Sequence, residues 1–312
     1  MKHLLTLKDL EASEITDIIE LAMKIKGTPE RYTDKLNGKT LALLFQKTST
    51  RTRLSFESGM IQLGGHAVFL DWRTTNITLG QLSDEIQCMA RYVDAIMGRV
   101  YEHSDLELMS NVSRVPIING LSDGFHPCQA LADLMQIYEH YQDPANLVVS
   151  FVGDGSNNVA TSLVIACAKL GITTVVGAPS NFSLRDDVKK YLAIKNLNHL
   201  VRQTTNPYDA VKDADVIYTD TWVSMGQEEE KQRRLKIFGE YQVNKNLVDH
   251  SSKNPIVMHC LPAHRDYEIT SEVLDSKQSV VFDQAENRLH TQKALLLKLM
   301  CSEFADCQNT LF

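Results

Sequence analysis

The chain has no CxxC pair, no internal repeat, no low-complexity tract and no apolar run near the ~20 residues of a membrane-spanning helix. These absences exclude a zinc ribbon, a thioredoxin-like redox centre and a chain threaded through a bilayer. Met1-Lys2-His3-Leu4 lacks the apolar stretch of a secretory signal, so a reducing, cytoplasmic location is expected. The cysteines at 88, 128, 167, 260, 301 and 307 then read as small buried hydrophobes, with Cys260 alone left open by composition. Neither charge dominates: 32 Lys and Arg face 39 Asp and Glu, a net charge of -7, and general nucleic-acid binding is not expected.

What is present suits a globular protein. Hydrophobic residues make up 43% and charged residues 23%, which excludes disorder and collagen-like structure, and 312 residues suit two domains. Ile15, Ile18, Ile19, Ala22 and Met23 recur at helical spacing. Strand-like apolar runs at 41–45, 67–70, 95–97 and 115–118 then alternate with helical patterns. A second series runs 147–152, 173–177, 216–219, 256–258 and 280–282. Strands alternating with helices build parallel sheets covered on both faces. The expected fold is therefore α/β: two doubly wound domains with parallel sheets, joined by two interdomain helices. The boundary falls near Gln142-Asp143-Pro144, giving domains 1–142 and 143–290, with a C-terminal helix in 291–312 packing back on the first. The helix at 131–141 would lead from one to the other.

Open α/β sheets bind ligands at the carboxyl ends of their strands. After the first strand comes Gln46-Lys47-Thr48-Ser49-Thr50-Arg51-Thr52-Arg53, where a helix begins. A helix N-terminus with added hydroxyls and guanidinium forks suits a phosphate, whereas a simple cap needs one hydroxyl. His126-Pro127-Cys128-Gln129 opens a later helix, with Pro127 in the first turn and His126 and Gln129 on one side. An imidazole and a carboxamide together can polarise and orient a small carbonyl compound. Gly153-Asp154-Gly155-Ser156-Asn157-Asn158 imitates a dinucleotide fingerprint but carries Asn158 where glycine is required. The next strand also lacks the ribose-binding acid, so no nicotinamide cofactor is expected. Asn158 suits a zwitterion instead. Asp220-Thr221-Trp222-Val223-Ser224-Met225-Gly226 and His259-Cys260-Leu261-Pro262 follow two further strands, and the charge run 228–234 reads as a solvated helix face. Arg288 follows the run at 280–282.

Taken together, Ser49-Thr50-Arg51-Thr52-Arg53, His126-Pro127-Cys128-Gln129, Asp220 with Ser224-Met225-Gly226, and His259-Cys260-Leu261-Pro262 resemble the ornithine carbamoyltransferases of the aspartate/ornithine carbamoyltransferase superfamily. The resemblance covers essentially the whole chain in order. The Ser-Met-Gly loop and the Cys-Leu-Pro turn point to ornithine; an aspartate carbamoyltransferase would carry a lysine between Trp72 and Arg91, where the only basic residue is Arg73. The resemblance implies that Ser49, Thr50, Arg51 and Thr52 hold the phosphate of carbamoyl phosphate. It implies that Arg99, His126 and Gln129, with Pro127 and Cys128 beside them, bind the carbamoyl end. Asn158, Asp220, Ser224 and Met225 would hold L-ornithine, while Cys260, Leu261 and Arg288 line the reacting centre. Arg99, His126, Asp220 and Cys260 would be catalytic. It also implies transfer of the carbamoyl group to the δ-amine to give citrulline, no metal and no cofactor, and a homotrimer with sites at subunit interfaces. No nucleic acid or membrane partner is implied.

The match departs at Asp84-Glu85-Ile86-Gln87-Cys88-Met89, where the family commonly has Asp-Thr-Ala-Arg-Val-Leu, and in the loop 74–80. That loop would bring a glutamine to a neighbouring subunit's phosphate site; none aligns, and Thr75 is the nearest candidate. A related amine or amino acid (putrescine, lysine, acetylornithine) as acceptor, or a non-catalytic binder on the same fold, are the alternative readings.

Overall fold

A computed structural model describes residues 1–141, 144–223 and 230–305. The chain divides into two units, Met1–Met135 with Glu286–Phe312, and Gln136–Ala285. The first unit carries strands β1 (Thr40–Phe45), β2 (His66–Asp71), β3 (Ala95–Arg99) and β4 (Ile117–Leu121), with helices α1 (Ala12–Gly27), α2 (Thr50–Gln62), α3 (Leu82–Met89) and α4 (His103–Val112) between and around them. Helix α5 (Pro127–His140) leads onward to β5 (Val148–Val152), β6 (Thr173–Gly177), β7 (Val201–Thr204), β8 (Val216–Thr219) and β9 (Ile256–His259). Helices α6 (Asn158–Lys169), α7 (Asp186–Ile194), α8 (Pro207–Val211), α9 (Lys231–Phe238), α10 (Lys245–Asp249) and α11 (Ser271–Leu274) accompany these strands. Helix α12 (Val281–Met300) returns the chain to the first unit, and α13 (Ser302–Ala305) follows.

Both sheets are wholly parallel, ordered β2-β1-β3-β4 and β7-β6-β5-β8-β9. Each chain path starts on an inner strand, winds outward to one side, then crosses back and winds to the other. Helices therefore lie on both faces, and the inner strands are buried on both sides: Leu41 to Leu44 of β1 and Val149 to Val152 of β5 are all buried. Each such leucine or valine contributes about 1.5–3 kcal/mol by leaving water. The winding reverses between β1 and β3 and again between β5 and β8. Loops after those strands diverge there and leave a crevice at the sheet edge. All the strand-end motifs of the sequence sit at or beside these reversals.

Two local devices shape the first unit. Leu4 adds one parallel bridge to the outer edge of β4, its N–H donating to Ile117 O at 2.9 Å and its carbonyl accepting from Asn119 N–H at 2.8 Å. This covers an edge that would otherwise offer unpaired backbone. The ladder between β3 and β4 slips by one residue, pairing Gly98 with Asn119 but Arg99 with Leu121, so β4 bulges at Gly120. The bulge turns the chain into Ser122–Phe125, which delivers His126. Only glycine fits at 120: a Cβ would run into the Met97 thioether and lie 3.3 Å from the Gly98 carbonyl oxygen.

Several expectations need correction. The run at 280–282 forms no strand; Ser279 makes a single bridge to Val257, and the helical pattern beyond it begins α12 at Val281. A short apolar run suits a strand or a first helical turn equally, and twenty residues of helix decide it. Arg288 therefore stands on a helix, not in a loop. The fourth strand begins at Ile117 rather than 115, and β7 was not foreseen because Val201-Arg202-Gln203-Thr204 is a polar edge. Cys128 and Cys167 are buried, but Cys88 is exposed on α3, its thiol 3.7 Å from Tyr92 Oη, and Cys301 is half-buried. Cys307 and Gln142-Asp143 lie outside the described residues.

The bulge generates a stability prediction. Gly120→Ala should lower unfolding free energy by about 1–3 kcal/mol, as overpacking does. Combined with Met97→Ala, which vacates the blocking thioether, the two losses should add to less than their sum in urea denaturation.

Candidate active site

In the first unit the chain leaves β1 at Phe45 and enters α2 with Ser49 as N-cap. Ser49 Oγ accepts from Thr52 N–H at 3.3 Å and donates to Thr52 Oγ1 at 3.1 Å. One hydroxyl thus serves as the cap, and Thr50, exposed, and Arg51, half-buried, remain beside the positive end of the helix. Arg53 turns away: its Nε donates to Glu57 at 2.9 Å and its guanidinium covers the Phe69 ring at 3.8 Å. A cavity of about 450 Å³ opens here, lined by Lys47, Ser49, Thr50, Arg53 and Phe69 among others.

Behind this loop lies a buried polar cluster. Arg288, 3% exposed, donates through Nη1 to Gln129 Oε1 at 2.7 Å and through Nη2 to Thr52 Oγ1 at 3.4 Å. Gln129 in turn donates through Nε2 to Asp133 at 2.8 Å. The carboxamide is therefore oriented, its oxygen toward the guanidinium. Asp133, fully buried one turn along α5, was not anticipated. The Cys128 thiol donates to Asn119 O at 3.4 Å and is pushed up to about 11 by burial, so it stays protonated. Arg99 ends β3 and is buried, as is His126. Burial first, then the charges of Arg288, Arg99 and Arg51, hold the His126 imidazole well below its ordinary value. A neutral imidazole among three guanidiniums can donate a hydrogen bond to an anionic or carbonyl ligand without adding charge.

The second unit builds a different cluster at its own reversal. Gly153 leaves β5 at φ 134°, a conformation that side chains resist, and Asn157 caps α6 by accepting from Ala160 N–H at 2.7 Å. Its Nδ2 donates to Asp220 Oδ2 at 3.1 Å, an interaction the sequence did not reveal. Asp220 Oδ1 accepts from Thr221 N–H at 2.8 Å and from the Cys260 thiol at 3.0 Å. Burial raises the Asp220 carboxyl above its ordinary value, opposed by His259, the Cys260 thiol and the Thr221 N–H. Asn158 is half-buried in the first turn of α6. Ser224 and Met225 lie outside the described residues.

Cys260 leaves β9 on a turn held from below. Leu261 adopts φ 56°, left-handed for a non-glycine residue, and a cis bond joins it to Pro262. Leu261 N–H donates to His259 Nδ1 at 2.8 Å, so the imidazole proton sits on Nε2, 3.0 Å from Glu268 Oε1. Glu268 also accepts from His264 N–H at 2.6 Å, and His259 N–H donates to Gln284 at 2.9 Å. Asp220, His259 and Cys260 each place a potential metal-ligand atom within 4.8 Å of the others. Both imidazole nitrogens are already engaged, however, so the cluster reads as a hydrogen-bonded support for Cys260 rather than a metal centre.

The charge run is a solvated face from Glu230 to Arg233, all exposed, and departs from that expectation at one residue. Arg234 is buried, not solvated. It pairs with Asp154, donates to the Trp222 carbonyl, and lies against the rings of Phe182 and Phe238 at 4.9 and 5.2 Å. Trp222, two residues beyond Asp220, is anchored by this guanidinium.

Comparison with known proteins identifies the family. Two family models match: the aspartate/ornithine carbamoyltransferase carbamoyl-P binding domain over residues 2–139, and the Asp/Orn binding domain over residues 145–299. The ornithine carbamoyltransferase of Archaeoglobus fulgidus is 49% identical over 97% of this chain and 99% of its own length. The anabolic ornithine carbamoyltransferase of Pyrococcus furiosus is 50% identical, covering 96% of each chain. The solved structure of the Pyrococcus furiosus ornithine carbamoyltransferase matches with a TM-score of 0.91 over 96% of this chain and 97% of that one. That from Thermus thermophilus matches with 0.87 at 38% identity, over 96% and 99%. The chain belongs to the aspartate/ornithine carbamoyltransferase family.

The imidazole carries a pH prediction. With its folded value depressed, His126 is neutral in the native state while the unfolded chain takes up a proton below about pH 6.5. Its contribution to stability is present above that value and is lost as pH falls toward the folded value. The His126 C2–H resonance should stay fixed between about pH 6 and 8, and the acid-side loss of stability should shrink in His126→Gln.

Proposed function

We propose that the protein transfers the carbamoyl group of carbamoyl phosphate to the δ-amine of L-ornithine, giving citrulline and phosphate. The observation that carries this reading is the neutral His126 set among Arg51, Arg99 and Arg288 next to a capped helix N-terminus. Such a pocket suits a dianionic phosphate joined to a polarisable carbonyl. Ser49, Thr50, Arg51 and Thr52 hold the phosphate. Arg99 and His126 donate to the carbamoyl oxygen, and Gln129, oriented by Asp133 and Arg288, fixes the carbamoyl end. Pro127 and Cys128 shape the backbone around it.

Asn158 and Asp220, with Ser224 and Met225, hold the amino-acid end of ornithine. Neutral Nδ attacks the carbamoyl carbon, and the negative charge growing on the carbonyl oxygen falls to Arg51, Arg99 and His126. The tetrahedral intermediate collapses by breaking the bond to phosphate oxygen. An amine of this kind has a pKa of about 10, so a base must help it. Cys260 Sγ takes the amine proton as its own proton passes along the 3.0 Å bond to Asp220, whose carboxyl burial makes more basic. Leu261 stands beside Cys260 in the ornithine-binding unit, and Arg288 beside Gln129 in the carbamoyl phosphate-binding unit.

The finer assignments rest on supporting features. A homotrimer is favoured by exposed apolar side chains on the first unit: Leu54 at 56%, Ile61 at 68% and Leu79 at 85% exposure. Leu79 lies in the same 74–80 loop as Thr75, the residue proposed to replace a neighbour's glutamine. The five described cysteines are thiols, which suits the cytoplasm. The Pyrococcus furiosus relative is named anabolic, and the reading here follows it toward arginine synthesis.

Citrulline should form from carbamoyl phosphate with ornithine and not with putrescine, lysine, acetylornithine or aspartate; turnover of another amine would sink the ornithine assignment. His126→Ala and Arg99→Ala should each lower kcat by about 10²–10³. Cys260→Ser should slow turnover and displace the alkaline profile, and a variant with undiminished rate at every pH would remove sulfur as the base. Light scattering should give a mass three times 35.1 kDa.

A further inference from the structure

Gln46 is a residue to which neither the phosphate loop nor the carbamoyl pocket has yet given a role. The ladder between β1 and β3 ends with Phe45 opposite Arg99. One step further, Gln46 N–H donates to the Arg99 carbonyl at 2.8 Å. Its side chain then reaches past Arg99: Oε1 accepts from Tyr101 N–H at 2.6 Å, and Nε2 donates to Asp105 Oδ2 in the first turn of α4 at 3.0 Å. A single residue thus holds the main chain at 99 and 101 and the Asp105 carboxylate at the start of α4. On the opposite side, Val100 N–H donates to Leu121 O at 2.9 Å just beyond the bulge at Gly120. The segment that presents Arg99 is clamped from both flanks, and the flank supplied by β1 is Gln46.

The chemistry demanded is particular. The residue at 46 must accept from an N–H at one atom and donate to a carboxylate at the other, which a carboxamide does in one plane. A thioether of similar length donates nothing and accepts only weakly. Gln46 also immediately precedes Lys47–Ser49, so the same residue fixes where the phosphate-binding turn starts and where Arg99 stands.

We propose that Gln46 is a positioning residue for carbamoyl phosphate, setting the separation between the N-terminus of α2 and the Arg99 guanidinium. The proposal rests on the reading of Arg99 as a carbamoyl phosphate ligand, and its test separates the two. A misplaced ligand group weakens binding of its own substrate and leaves the other substrate's site alone.

Steady-state kinetics are measured for Gln46→Met, Arg99→Ala and the double variant, varying each substrate at saturation of the other. Gln46→Met should raise KM for carbamoyl phosphate about 10-fold, and KM for ornithine by less than about twofold. In the Arg99→Ala background the same substitution should change KM for carbamoyl phosphate by less than about twofold, because its effect runs through Arg99. An equal rise in both backgrounds, or a parallel shift in both substrates' KM, marks a general structural role and overturns the proposal. If Arg99→Ala leaves KM and kcat unchanged, the assignment of Arg99 fails instead, and the proposal goes with it. Asp105→Ala keeps the Gln46–Tyr101 bond and should give a smaller rise, about threefold, confined to carbamoyl phosphate. It stands in if Gln46→Met does not fold, and wild-type values for it then overturn the proposal.

Discussion

Arg288 donates to Gln129 and to Thr52, and this buried guanidinium ties three distant stretches of chain into one polar cluster. The helix that carries it returns from the far end of the sequence. The first turn of α2 and the start of α5 both lean on its two nitrogens. A guanidinium buried to this degree is tolerated only with partners or a bound anion, since an unpaired charge out of water is strongly disfavoured. The pocket is therefore shaped by a charge it must hold, and the same charge helps to keep His126 unprotonated. Positive field and neutral donor arise together from one placement.

The second cluster works by the opposite balance. Burial raises the Asp220 carboxyl, while Asn157, Thr221 and Cys260 all donate to it. The carboxylate is kept basic yet fully occupied, a state suited to accepting a proton and then giving it back. The turn that presents Cys260 is supported from beneath by His259, Glu268 and Gln284, and its thiol bonds Asp220.

Much of this was legible in the sequence because it is local. Ser49 before Thr50-Arg51-Thr52 announces a capped helix with spare donors, and His126-Pro127 announces a helix mouth. Alternating strand and helix patterns announced two parallel sheets, and with them the reversals where ligands gather. What stayed hidden is long-range. Nothing near Asn157 signals Asp220, nothing near Asp133 signals a buried amide to orient, and Arg234 sat in a charge run whose average composition is that of a solvated face. The strand expected at 280–282 failed for a related reason: three apolar residues hold too little periodicity to tell a strand from the first turn of a long helix. Cys88 shows the limit of composition, since residue type gives a tendency toward burial and the fold decides the individual case.

Leu261 has a bearing on how this protein would respond to selection. Its left-handed backbone, φ 56°, carries about 1–2 kcal/mol of steric penalty that asparagine or glycine would not. A laboratory screen for heat tolerance alone would be drawn to this position, trading the leucine for a residue at ease in that geometry. Heat tolerance would then be gained by relaxing the turn that carries Cys260, a trade between robustness and the geometry beside that thiol.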